Sequence, residues 1–147
     1  VVEFLISANP GEPLKPLSKI ASGGELSRIM LAIKTILAAA DDISTLIFDE
    51  IDTGISGKAA KSVAQKLKSI STSHQVICVT HHAQIAAAAD NNIYISKHFA
   101  DDSTVTTAKK LDENEKIKEI SRLLDGDSES EITAVHAKEL IAKFRSN

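Results

Sequence analysis

Aromatic side chains are scarce in this 147-residue chain: four Phe, one Tyr and no Trp, 3% in all. That leaves too few flat rings for a platform that stacks the bases of single-stranded nucleic acid. Cysteine is scarcer still. Cys78 stands alone, so no disulfide can form within the chain, and its apolar neighbours read as the setting of a buried, reduced thiol. No apolar run is long enough to span a bilayer and no signal peptide is recognisable, which points to the cytosol. The phosphate-wrapping loop G-x-x-x-x-G-K-[ST] is missing too. Its nearest echo, Gly54-Ile-Ser-Gly57-Lys58-Ala59, has its glycines too close and an alanine where a hydroxyl would reach Mg²⁺.

What is present is ordinary for a globular protein: 43% apolar residues, 25% charged, net charge −3. That suits a single domain over residues 1–147 with a real core. The charge is uneven. No Asp or Glu occurs from Thr53 to Ala89, while Lys58, Lys61, Lys66 and Lys68 fall there. These lysines read as a solvated helix face or as a DNA contact.

Residues 1–8 read as a strand, broken by Asn9-Pro-Gly-Glu-Pro13. A helix starting near Gly24 would bury Leu26, Ile29, Met30, Ile33, Leu37 and Ala40, and end at Asp41-Asp42. Residues 45–49 and 75–79 are short apolar runs expected to be buried strands. A helix over 58–72 with Ala60, Val63, Leu67 and Ile70 inward links them, so the strands should lie parallel. An alanine-rich helix over 83–89 follows. Then comes a hairpin from 91–96 and 104–108 around Asp101-Asp102. Two helices close the chain, one marked by Ile117, Ile120 and Leu124, the other by Ala137, Leu140, Ile141 and Phe144.

Two segments carry chemistry. Ala21-Ser-Gly-Gly-Glu-Leu-Ser-Arg28 is a small-residue turn feeding a helix. Such a turn presents backbone N–H groups to an anion. Ser22 and Glu25 also fit a capping box that merely satisfies the helix end, and both readings stay open. Leu46-Ile-Phe-Asp-Glu50 is an apolar strand ending in two carboxylates, at the sheet edge where α/β proteins bind ligands. Asp49 could hold Mg²⁺ through water while Glu50 orients and deprotonates an attacking water. Asp52-Thr-Gly54 also matches the tripeptide of aspartic proteases. Those need two facing copies, and only one occurs here. His81 and His82 follow the second strand. One imidazole there could donate to a phosphate oxygen or to the water.

Segments 21–28, 45–57 and 79–85, in this order, resemble the signature motif, Walker B, D-loop and switch histidine of ABC-type ATPase heads. Glu25, where transporters usually carry Gln, resembles the SMC-like DNA-repair branch, whose wording Lys15–Arg28 and Phe48–Gly57 closely follow. The resemblance implies an α/β, three-layer, P-loop-NTPase-like half-head, with mainly parallel strands flanked by helices plus a C-terminal hairpin and helices. It implies an ATPase of double-strand-break repair and recombination, acting in the SOS response in a nucleoid-associated, cytoplasmic setting, with ATP and Mg²⁺ as cofactors. The abrupt start at Val1 and the missing phosphate loop then suggest half of a head whose N-terminal half lies elsewhere in the same protein. Two such heads would pair as a homodimer around ATP, and DNA would be bound by the complete protein. Ser22, Gly23, Gly24 and Glu25 would face the nucleotide on the partner head, the first three at its γ-phosphate. Asp49 would serve Mg²⁺, Glu50 the water, His81 the γ-phosphate and Asp52 the dimer seam. Hydrolysis would not be expected of the 147 residues alone. The competing readings are another ABC-type ATPase subunit and a non-catalytic DNA-binding or assembly module using the lysine-bearing helix.

Overall fold

The computed structural model describes residues 2–7, 11–19, 22–37, 42–100, 103–126 and 130–145. They fall into two compact units, Val1–Thr80 and His81–Asn147.

In the first unit, β1 (Leu5–Ile6) pairs antiparallel with β2 (Lys15–Pro16), and a single 3-10 turn, Leu17–Lys19, follows. The strand expected over 1–8 is thus two residues long. The contact runs on past Pro16, where the Leu17 N–H donates to the Phe4 carbonyl at 2.9 Å. Helix α1 spans Gly23–Leu37. The expected helix end at Ala40 to Asp42 falls largely outside the described residues. β3 (Thr45–Phe48), α2 (Gly57–Ile70) and β4 (Gln75–Cys78) form the expected parallel unit, with Thr45 beside Gln75 and Phe48 beside Cys78. The ladder continues one residue further, where the Val79 N–H donates to the Phe48 carbonyl at 2.9 Å.

α2 follows its pattern. Ala60, Val63, Ala64, Leu67 and Ile70 are buried, and they recur at the three- and four-residue spacing that puts them on one face. α1 does not. Its described buried residues are Gly24 and Leu31, while Leu26, Met30 and Leu37 from the expected stripe stay exposed. Leu26 and Met30 instead line a groove of about 280 Å³ together with Lys34, Ile47 and Phe48. The strands also depart from expectation. Leu46 and Phe48 are buried but Ile47 is 69% exposed, and Ile77 on β4 is exposed as well. Burial alternates because successive side chains point to opposite faces of the sheet, and one of those faces stays open.

In the second unit, α3 (Ala83–Ala88) is buried along almost its whole length. Its small side chains let α4 (Glu113–Asp125) and α5 (Glu131–Arg145) pack against it and against each other. All four apolar markers of α5, Ala137, Leu140, Ile141 and Phe144, are buried. α4 begins with a capping box between Asp112 and Glu115 and stops at Gly126, whose φ of 71° few other residues adopt. Lys116 on α4, 4% exposed, donates to the Ala89 carbonyl just past α3, a position where a helix end favours positive charge. Between α3 and α4, β5 (Ile93–Ala100) and β6 (Ser103–Lys110) make an antiparallel hairpin; β5 starts later and ends later than the expected 91–96, and β6 outruns the expected 104–108 at both ends. Its turn at Asp101-Asp102 lies outside the described residues. Lys109 pairs with Glu115, and this hydrogen bond holds the Glu115 carboxyl below the usual carboxylate range.

Candidate nucleotide-hydrolysis site

The glycine turn and the acid-bearing loop meet. Gly23 and Gly24 form the first turn of α1, where the Leu26 N–H donates to the Ser22 carbonyl at 3.1 Å. Gly24 is buried, and a Cβ there would sit 2.7 Å from the Glu50 carbonyl oxygen and 3.1 Å from the Thr53 Cβ. A Cβ on Gly23 would meet only the Glu50 Oε2, at 2.9 Å. The two glycines therefore have different reasons. Gly24 allows backbone to approach backbone, whereas Gly23 leaves room for the end of a flexible carboxylate.

Asp49 and Glu50 lie at the exit of β3, and both are exposed. Glu50 has φ 56°, the one positive value for a non-glycine among the described residues. Its carbonyl accepts the Thr53 N–H at 3.0 Å. Side chains of α1 hold the carbonyls on either side. Ser27 Oγ donates to the Asp49 carbonyl at 2.8 Å, and Arg28 Nη1 donates to those of Ile51 at 3.1 Å and Thr53 at 2.9 Å. Nothing in the sequence reading singled out Ser27 or Arg28 by role. The signal available was their place, one helical turn past the glycines.

Asp52 is 4% exposed and accepts a 2.6 Å hydrogen bond from Thr80 Oγ1. Its side chain thus ties the loop after β3 to the exit of β4. Cys78 lies close to the same acids. Burial pushes its thiol up to about 12, and the charges of Asp52 and Asp49 add to the shift. A thiol held protonated is a poor nucleophile and metal ligand. His74, just before β4, is buried, with its Nδ1 2.8 Å from Ser73 Oγ. Ser22, Gly23, Gly24, Glu25, Asp49, Glu50 and Asp52 all lie in the first unit, whereas His81 is the first residue of the second. The lysines of α2 lie opposite its buried residues: Lys58, Lys61 and Lys66 are exposed and Lys68 is half-buried.

Among the described residues no group of three or more His, Cys, Asp or Glu is placed to hold a metal ion. Asp49 still suits Mg²⁺. That ion keeps several waters and is held by one or two carboxylates plus substrate phosphates rather than by an all-protein cage.

The chain is 51% identical over 141 residues to the DNA repair protein RecN of Bacillus subtilis, covering 96% of this chain and 24% of that protein. The chain matches a segment of RecN. RecN of Treponema pallidum is 51% identical over 95% of this chain, and RecN of Streptomyces coelicolor 42% identical over 99%. The chain spans about a quarter of the length of these RecN proteins. No family model matches. A solved chain from work on ATP-driven dimerization and DNA-stimulated activation of SMC ATPases superposes with a TM-score of 0.55 at 24% identity, covering 86% of this chain and 83% of that one. That likeness is one of fold, a mixed α/β arrangement of helices and small sheets. Among the described residues no helix is long and apolar enough to cross a membrane.

Proposed function

We propose that these 147 residues act as one C-terminal lobe of a split ATPase head in a RecN-type protein of DNA double-strand-break repair. The observation that carries this reading is the packing of the glycine turn on the acid loop, where the Gly24 backbone meets the Glu50 carbonyl. A helix cap alone needs no such contact, but a site that must hold a phosphate turn and a water-activating acid in fixed relation does. The RecN relatives are named as DNA repair proteins, which supports the biological assignment and a cytoplasmic, nucleoid-associated place.

In this reading Ser22 and the N–H groups of Gly23 and Gly24 receive the γ-phosphate of ATP bound on a partner head, with Glu25 beside them. Glu50 orients a water and takes its proton. Asp49 would hold Mg²⁺, and the bound ion would neutralise charge on the phosphates. His81 donates to the γ-phosphate. Asp52 serves the dimer seam indirectly, because its carboxylate is spent on Thr80 and shapes the loop that would reach the seam. An aspartic protease dyad needs a second aspartate facing the first, and only one Asp-Thr-Gly occurs in this sequence. The N-terminal half-head, a second head and DNA are the partners, and the phosphate loop absent from this sequence comes from the first of them.

The test is Glu50→Gln in the complete protein. ATP binding should persist while hydrolysis falls about 10²–10⁴-fold, the usual loss when a positioned base is removed. Wild-type turnover in that variant would remove Glu50 from the chemistry.

A further inference from the structure

Glu50 holds a left-handed backbone conformation that only glycine adopts freely. Such a conformation persists where the surroundings over-determine it. Here those surroundings come from α1. Two consecutive side chains, Ser27 and Arg28, take three alternate carbonyls of the loop: Asp49, Ile51 and Thr53. Glu50 lies between the first two, and its own carbonyl is pressed against Gly24. The loop is thus gripped at every second carbonyl by a helix whose first turn is the glycine turn.

We propose that Ser27 and Arg28 are positioning residues that fix the Glu50 carboxylate relative to the glycine turn, so that turn and acid move as one piece. The proposal rests on the reading of Glu50 as the water-activating group. Neither side chain need touch nucleotide. Arg28 suits the task because its planar guanidinium is always charged and can aim one nitrogen between two carbonyls, where a flexible ammonium loses more freedom for the same bonds. A phosphate docking on Gly23 and Gly24 then acts on the part of the helix that sets the Glu50 geometry, one turn away.

The complete protein is the material for the test, with Mg-ATP as the probe. Arg28→Ala should speed hydrogen exchange at the Thr53 amide. It should lower kcat about 10–100-fold, the scale set by misplacing a reacting group by an ångström, and leave KM within about twofold. Arg28→Lys should recover part of the loss. Ser27→Ala, the gentler change, should shift both readouts the same way by less, and it serves if Arg28→Ala does not fold. In a Glu50→Gln background Arg28→Ala should add no further loss, because it acts only through Glu50. Unchanged exchange and unchanged kcat would overturn the proposal, as would an undiminished loss in the Glu50→Gln background. If Glu50→Gln itself turned over normally, the proposed function would fall, and Thr53 exchange alone would then decide whether the grip exists.

Discussion

α1 and α2 are 15 and 14 residues long and pack against each other in the same unit, yet different forces seat them. α2 rests on a continuous apolar face, with Ala60 and Ala64 fully enclosed and Leu67 and Ile70 nearly so. Hydrophobic burial of that kind is non-directional, so it fixes where a helix lies more firmly than where any one atom points. α1 buries little beyond Leu31 and is anchored at its start by directional contacts to the acid loop. Hydrogen bonds and a backbone-to-backbone approach fix position and angle together. The helix that bears the candidate phosphate turn is the one held by geometry, and the helix between the strands is the one held by area.

The sharpest way to break that contrast is Leu67→Ala. Removing a buried leucine from the α2 face should lower the unfolding free energy of the chain by about 2–5 kcal/mol, read by urea denaturation. A loss below about 1 kcal/mol would mean that α2 is not seated by its apolar face. Next in size is Gly24→Ala. Its Cβ would collide with the Glu50 carbonyl at 2.7 Å, and forced overpacking costs about 1–3 kcal/mol, offset by up to about 1 kcal/mol of helix propensity. Gly23→Ala should by contrast be neutral or slightly stabilising, because the Glu50 carboxylate can swing aside. Equal effects of the two in the same denaturation experiment would contradict the division of labour between the glycines. The smallest change is expected from Met30→Gln. Met30 is 38% exposed in the α1 groove, so stability should move by no more than about 0.5 kcal/mol. A drop of about 2 kcal/mol would show that α1 is seated by its apolar stripe after all.

The same contrast governs what could be read from sequence. The inward residues of α2 and α5 were legible because burial by a regular helix leaves a regular spacing, and Ala60, Val63, Leu67 and Phe144 lie where that spacing put them. The parallel pairing of β3 with β4 followed from the length of the crossover. The α1 stripe misled, because Leu26 and Met30 are spaced as a core face yet line an open groove, and a spacing cannot tell a core from a groove. Ile47 misled in the same way: an apolar run looks alike whether one face of the sheet is covered or both. At the site, the glycine turn and the acid pair were legible as residue types in order. Their contact was not, nor the roles of Ser27 and Arg28, because a side chain bonded to a distant carbonyl leaves no periodic trace. The family resemblance alone puts Asp52 at a seam, and its bond to Thr80 spans 28 residues that no local pattern links.

The left-handed turn at Glu50 has one more consequence, for anyone who would engineer this chain. Glycine or asparagine would relax that backbone, and relieving such strain commonly yields about 0.5–2 kcal/mol. A stability-guided redesign would therefore rank position 50 among its first targets, and success there would delete the carboxylate. At this one residue, robustness and the proposed chemistry would be traded directly against each other. The chain keeps the strained glutamate.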